Sequence, residues 1–155
     1  MTNLINVLLG MLGTSEVLAE MIAEVLQKQK LLKIIDLGSG SGGAMPLAAK
    51  TLHEIEGMHD VGLVMTDLYP SPESIAKFNQ NTEDKISFLE TPVDATDIAA
   101  TPKGLKTMVN SFHYMSPKAA RKILESAENS QQPLLIYEMA ENKIPVFVWV
   151  LLLPL

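Results

Sequence analysis

The sequence has few of the residues that mark metal sites. None of its 155 residues is cysteine and three are histidine, at His53, His59 and His113. The absence of thiols excludes disulfides and thiolate metal sites, and the spacing of the histidines does not match a zinc-ligand pattern. The sequence therefore predicts no metal centre.

Positive charge is also scarce. Twelve basic residues stand against eighteen acidic ones, the net charge is −6, and Arg121 is the one arginine. Binding to nucleic acid depends on a basic surface, so we predict no nucleic-acid partner. No basic residue precedes the first apolar run, at residues 4–12, and no small-residue cleavage site follows it. A secretory signal is not expected, and we predict a cytoplasmic protein.

Apolar residues make up 47% of the chain, which is enough for the core of one domain. Helical periodicity and start signals predict helices at 14–30, 44–57, 71–80 and 116–127, with Ser71 and Ser116 as N-caps and Gly57 as a C-cap. Short apolar runs predict strands at 31–36, 61–67, 86–93, 105–112 and 133–140. Strands that alternate with helices predict an α/β fold with a doubly wound, mostly parallel sheet and helices on both faces.

The segment IIDLGSGSGG, residues 34–43, follows the first predicted strand directly. In a doubly wound sheet the first strand-to-helix turn lies under the ligand. Glycines at Gly38, Gly40 and Gly42 would allow the ligand to approach the backbone closely. We therefore predict that this turn binds a cofactor.

The glycines alone do not identify the cofactor, because they fit the dinucleotide pattern G-x-G-x-x-G as well as G-x-G-x-G. Asp36 precedes them by two positions and would repel a pyrophosphate, but it could pair with a cationic group. This favours a positively charged nucleoside without phosphate.

The run Asp36-Leu-Gly38-Ser-Gly40-Ser-Gly42 resembles the first motif of class I S-adenosylmethionine-dependent methyltransferases, and the order of elements agrees from about residue 14 to residue 140. The resemblance implies that S-adenosylmethionine is the cofactor. It also implies that Asp67, after the second strand, holds the ribose hydroxyls and that Leu68 lies against the adenine.

The third and fourth strands end in further residues that the resemblance implicates. Asp94 and Ala95 would lie near the adenine amino group, although Asp94 or Asp97 could equally cap a helix. Asn110 would bind cofactor at the methyl-transfer cleft. His113, beside it, would be the catalytic base for an acceptor that must lose a proton. The acceptor is expected to be a small or lipid-like molecule.

The C-terminal segment departs from this family, which normally continues with a further helix and an antiparallel strand pair. We therefore divide the chain into a cofactor-binding domain at residues 1–143 and an apolar tail at residues 144–155. The tail is too short to span a bilayer, so it would be covered by a homo-oligomeric partner or a membrane surface. Because the family's substrate pocket draws on such terminal additions, their shortness here leaves the catalytic competence of the chain open.

Two other functions remain compatible with the sequence. A nicotinamide-dependent oxidoreductase fits the glycine pattern with Asp67 as the ribose acid, although Asp36 opposes it. A noncatalytic cofactor-binding or oligomerisation module is compatible with the absence of the C-terminal strand pair.

Overall fold

The protein folds around one five-stranded sheet, seen in a computed structural model that describes residues 2–80 and 84–139, with side chains from residue 13 onwards. The strands lie in the order β3-β2-β1-β4-β5, and every pairing between them is parallel. This is the doubly wound α/β fold that the alternation of strands and helices predicts.

The strands are β1 (Lys33–Leu37), β2 (Gly62–Thr66), β3 (Ile86–Phe88), β4 (Leu105–Val109) and β5 (Leu134–Tyr137). The helices are α1 (Thr2–Gln29), α2 (Met45–His53), α3 (Pro72–Asn79) and α4 (Pro117–Ser130). Short 3-10 helices at Ile98–Ala100 and Phe112–Tyr114 lie before and after β4. No described helix is long and apolar enough to cross a membrane.

Helices lie on both faces of the sheet because alternate residues of β1 pack into different clusters. Ile34 belongs to a cluster that includes Leu18 of α1 and Leu52 of α2. Ile35 belongs to a second cluster with Ile123 of α4. Successive side chains of a strand point to opposite faces, so each face has a core of its own.

Both predicted N-caps are confirmed. The Ser71 hydroxyl accepts a hydrogen bond from the Ser74 amide at 3.0 Å, and the Ser116 hydroxyl accepts one from the Ala119 amide at 3.2 Å. Each is followed by proline at the first helical position, where the missing amide proton costs nothing.

Three predicted helix ends were wrong, one of them that of α4, which ends at Ser130 rather than at residue 127. Helix α1 begins at Thr2 rather than near residue 14, because the apolar run before Thr14 continues the helix without a proline. Within this helix, the Thr14 hydroxyl contacts the sulfur of Met139 at 3.2 Å. Helix α2 ends at His53 with Glu54 as its C-cap, so Gly57 lies in a later turn and does not cap it.

Candidate functional site

The carboxyl ends of β1, β2 and β4 lie side by side, and the glycine loop that follows β1 is tied to both neighbours. The Ser39 amide donates to the Thr66 carbonyl of β2 at 2.9 Å. On the other side, the Ser111 hydroxyl donates to the Leu37 carbonyl at 3.2 Å. The loop is therefore held over the middle of the sheet, the edge at which ligands bind in this architecture.

Gly40 presents open backbone at the top of this loop. Its φ is +54°, and a Cβ built on it would meet no atom within 4 Å. The left-handed conformation favours glycine, and the space above it is free for an approaching molecule. Gly38 also has positive φ, at +70°, and its side-chain position lies 3.5 Å from Ser111 of the β4 loop.

Gly42 lies against the protein's own side chains. A Cβ there would lie 2.8 Å from the ring of Phe78 and 3.2 Å from Pro46, at a φ of +108°. The space on the Cβ side of Gly42 is thus filled by the protein's own side chains, and the missing Cβ lets α3 pack against the loop. The predicted contact of Gly42 with a cofactor stays a prediction.

Asp36 lies beneath the loop and holds it. The residue is 3% exposed, and its two carboxylate oxygens accept hydrogen bonds from the Ser39 hydroxyl at 2.6 Å and the Thr107 hydroxyl at 2.7 Å. Burial, with a smaller contribution from the charge of Asp67, raises the pKa of Asp36 to about 6 against the opposing effect of these two hydrogen bonds. The carboxylate is thus covered, whereas the sequence placed it at the mouth of the strand. Its predicted pairing with a cationic group stays a prediction.

Asp67, at the end of β2, is bound to the glycine loop. One carboxylate oxygen accepts the Gly40 amide at 2.9 Å and the other accepts the Tyr69 amide at 2.9 Å. Each oxygen keeps a further lone pair for a ligand hydroxyl. Leu68, which follows it, is exposed. Both residues therefore lie at the carboxyl edge of the sheet, as the sequence predicts. Their contact with a ribose and an adenine stays a prediction.

The segment after β3 passes close to Asp67, whose carbonyl accepts the Val93 amide at 2.9 Å. Asp94 is exposed and accepts the Thr96 amide and hydroxyl, both at 2.8 Å, and these hydrogen bonds lower its pKa. Asp97 instead caps the 3-10 helix by accepting the Ala100 amide. Ala95 packs against the second core cluster, so its side chain serves the fold.

Asn110 shapes the turn that leaves β4. It has a φ of +53°, and its side-chain oxygen accepts the Met139 amide at 2.7 Å. Its backbone amide donates to the Tyr137 carbonyl at 2.8 Å. Asn110 thus joins the ends of β4 and β5, and its predicted contact with a cofactor is untested.

His113 follows this turn and forms a contact that the sequence did not predict. Its Nδ1 lies 2.6 Å from Oε2 of Glu138, just beyond the end of β5. The ring of Tyr114 packs against the imidazole with centroids 4.0 Å apart. Glu138 was missed because 25 residues separate it from His113, although an acid directly after a parallel strand is a signal that could have found it.

Two surface pockets lie beside this edge. One of about 340 Å³ touches the loop through Ser41 and Gly43 and extends between α2 and α3, and one of about 490 Å³ lies at the end of α4. At the ends of β1 and β2, Gly40 has open space above it and Leu68 is exposed. No group of three or more potential metal ligands occurs in the described ranges, 2–80 and 84–139.

Comparison with solved structures shows the class of fold. The chain is similar to the methyltransferase domain of bacterial CtHen1-C, with a TM-score of 0.53 and 16% identity over 79% of this chain. It is also similar to an O-methyltransferase family protein from Burkholderia thailandensis, with a TM-score of 0.54 and 16% identity, again over 79% of this chain. The chain therefore has the Rossmann-like fold of methyltransferases.

The chain spans 64% of the first of these neighbours and 37% of the second. No protein-family model and no curated protein sequence matches it. At this level of identity the likeness establishes the fold. The residues C-terminal to 139, including the apolar tail at 144–155, lie outside the described residues.

Proposed function

We propose that the protein is an S-adenosylmethionine-dependent methyltransferase. The observation that carries the proposal is the junction between Gly40 and Asp67: an open glycine backbone whose amide is held by the acid that ends the next strand. This arrangement offers a surface for a nucleoside and, beside it, carboxylate oxygens for the ribose hydroxyls. Both structural neighbours are described as methyltransferases, which supports the same assignment.

The same fold also binds nicotinamide dinucleotides in oxidoreductases, so the fold alone does not choose between the two functions. The negative charge of the site does. Asp36 and Asp67 place two carboxyl groups at the loop, close enough for the charge of Asp67 to raise the pKa of Asp36. A pyrophosphate would be repelled there, whereas a ligand with sulfonium and ammonium groups would be attracted. The site thus favours the cationic cofactor.

The residues present fit this cofactor. Asp67 would hold the ribose, Leu68 would cover one side of the base, and Gly38 and Gly40 would allow the amino-acid part to lie close to the backbone. When bound, the cofactor supplies an already activated methyl group. The protein's own task is therefore to orient the acceptor and to exclude water from the reacting atoms.

For the acceptor we propose a small or lipid-like molecule, because exposed apolar side chains, Leu68 and Tyr114, lie at the carboxyl edge of the sheet that also holds His113. His113 is half exposed at this edge, two residues after Ser111, which lies against Gly38. It is the histidine placed to receive a proton there. Cytoplasmic location and contact of the tail with a partner or membrane remain proposals from the sequence.

The proposal is tested by titrating S-adenosylhomocysteine into ¹⁵N-labelled protein and following the amides individually. The amides of Gly38 to Gly40 and of Leu68 should shift with a single saturation curve. The amides of Gln131 and Gln132, at the opposite edge of the sheet, serve as internal controls and should not shift. Saturable shifts confined to the opposite edge would contradict the assignment.

A further inference from the structure

Glu138 is bound to the segment that carries His113 through both of its carboxylate oxygens. Oε2 contacts Nδ1 of His113 at 2.6 Å. Oε1 accepts the Phe112 amide at 2.8 Å and the His113 amide at 3.3 Å. One carboxylate therefore fixes both the backbone and the ring of the same residue.

The position of Glu138 is itself fixed by the sheet. The preceding residue, Tyr137, ends β5, and the Met139 amide is held by the side chain of Asn110 at 2.7 Å. The Asn110 amide in turn donates to the Tyr137 carbonyl. The residues on both sides of Glu138 are thus hydrogen-bonded to Asn110 at the end of β4, and this pairing sets the position of Glu138 relative to His113.

The contact determines which nitrogen of the imidazole is available. An ionised carboxylate can only accept hydrogen bonds, so neutral His113 must carry its proton on Nδ1. Nε2 then carries the lone pair and has no hydrogen-bond partner among the described residues. The imidazole side chain is 51% exposed, so Nε2 is accessible to a molecule at the carboxyl edge of the sheet.

We propose that Glu138 is a positioning residue that holds His113 with Nε2 as a proton acceptor, and that the methyl acceptor is therefore a neutral hydroxyl compound of phenol type. This inference rests on the proposed function and specifies its substrate class. An acceptor that is already a thiolate or a nucleophilic carbon would not need an oriented base.

The reaction balances with the groups named. The acceptor oxygen forms a bond to the methyl carbon while its proton passes to Nε2 of His113. The carbon–sulfur bond of the sulfonium breaks and its electron pair stays on sulfur, which leaves a neutral thioether. Histidinium, stabilised by the Glu138 carboxylate, then releases the proton to solvent. No oxidant or metal is required.

The positioning role is tested without any reaction, from ¹⁵N chemical shifts of the His113 ring in the full chain at a pH where the ring is neutral. The wild-type protein should show a protonated Nδ1 and a bare Nε2. Glu138→Gln should lose this preference and Glu138→Asp should keep part of it, whereas Glu128→Gln, an exposed acid on α4, should change nothing. A protonated Nε2 in the wild type, or an unchanged ring in Glu138→Gln, would overturn the role.

The acceptor class is tested with a matched pair of probes, 4-methylphenol and 4-methylbenzenethiol. The thiol is largely ionised near neutral pH and needs no base, whereas the phenol is neutral. Glu138→Gln should lower kcat for the phenol at least tenfold, with little change in KM and little effect on the thiol. Transfer to the thiol alone, an equal effect on both probes, or transfer to neither by protein that binds cofactor would overturn the substrate class.

The two proposals fail in different ways. If the chain does not bind S-adenosylmethionine, the proposed function is wrong while the ring tautomer still reports on Glu138. If the cofactor binds and the tautomer is unaffected by Glu138→Gln, the positioning role is wrong and the proposed function stands.

Discussion

Oδ2 of Asp67 accepts a hydrogen bond from the amide of Gly40 at 2.9 Å, across 27 residues of sequence. The contact joins the acid after β2 to the open turn after β1. It makes the two residues parts of one surface, and the variants below separate their contributions to ligand binding from their contributions to the fold.

Gly40→Ala should weaken binding of S-adenosylhomocysteine at least tenfold, because a side chain would enter the open space above the loop. Alanine at this positive φ should also cost about 1 kcal/mol of stability. Gly57→Ala is a matched control, since Gly57 has a φ of +82° and open space around it in a distant turn. It should lose similar stability and no affinity. Calorimetric titration and urea unfolding measure the two effects, and equal affinity losses in both variants would count against the loop assignment.

Asp67→Asn should weaken cofactor binding by about 1–3 kcal/mol, because the ribose hydroxyls lose a charged acceptor. The amide can also accept from only one of the two backbone amides that Asp67 now binds. A ligand comparison isolates the ribose contribution: wild-type protein should prefer S-adenosylhomocysteine over its 2′-deoxy analogue, and Asp67→Asn should bind the two almost equally. If Asp67→Asn preferred S-adenosylhomocysteine over the 2′-deoxy analogue as strongly as the wild-type protein does, Asp67 would support the loop without binding the ribose.

Gly42→Ala should destabilise the protein by about 2–3 kcal/mol, more than Gly40→Ala, because its Cβ would clash with the Phe78 ring at an unfavourable φ. In a Phe78→Leu background the same change should cost about 1 kcal/mol less, since part of the clash is relieved. Urea unfolding of the four proteins in this double-mutant cycle measures the coupling. Strict additivity would show that the two side-chain positions do not interact.

Asp36→Asn should change how stability depends on pH. Burial raises the pKa of Asp36 in the folded protein from its usual 3.8 to about 6, so between these values the folded state binds more protons than the unfolded state. Wild-type stability therefore carries a penalty that is absent below pH 3.8, grows as the pH rises, and is complete above pH 6.

The Asn variant, which keeps a similar shape without the charge, should gain about 2–3 kcal/mol relative to wild type between pH 4 and pH 7. Taking the difference between the two proteins cancels the contribution of other carboxyl groups. Urea unfolding at each pH checks this. A difference that is constant with pH would mean that Asp36 does not titrate as its burial requires.

Features that depend on local sequence were predictable. The caps at Ser71 and Ser116, each followed by proline, and the five short apolar runs are local signals, so the elements and the class of fold followed from them. The predicted ends of the helices were less accurate. Helix α1 starts earlier than predicted because an apolar run without proline continues a helix as readily as it precedes one.

Contacts between distant residues could not be derived in the same way. The glycine spacing is the same whether Gly42 faces a ligand or Phe78, and only the packing of α3 decides between them. Likewise, Asp36 was recognised as important, but its burial beneath the loop depends on Thr107, which the register of β1 and β4 places opposite it. Glu138 joins the site through the pairing of β4 with β5.

The central claim, that the surface at Gly40 and Asp67 binds S-adenosylmethionine, is tested most directly by isothermal titration of the full chain with three ligands. S-adenosylmethionine and S-adenosylhomocysteine should each bind with saturation at one site, and NAD should not bind. Binding of NAD without the other two, or binding of none of the three, would contradict the account.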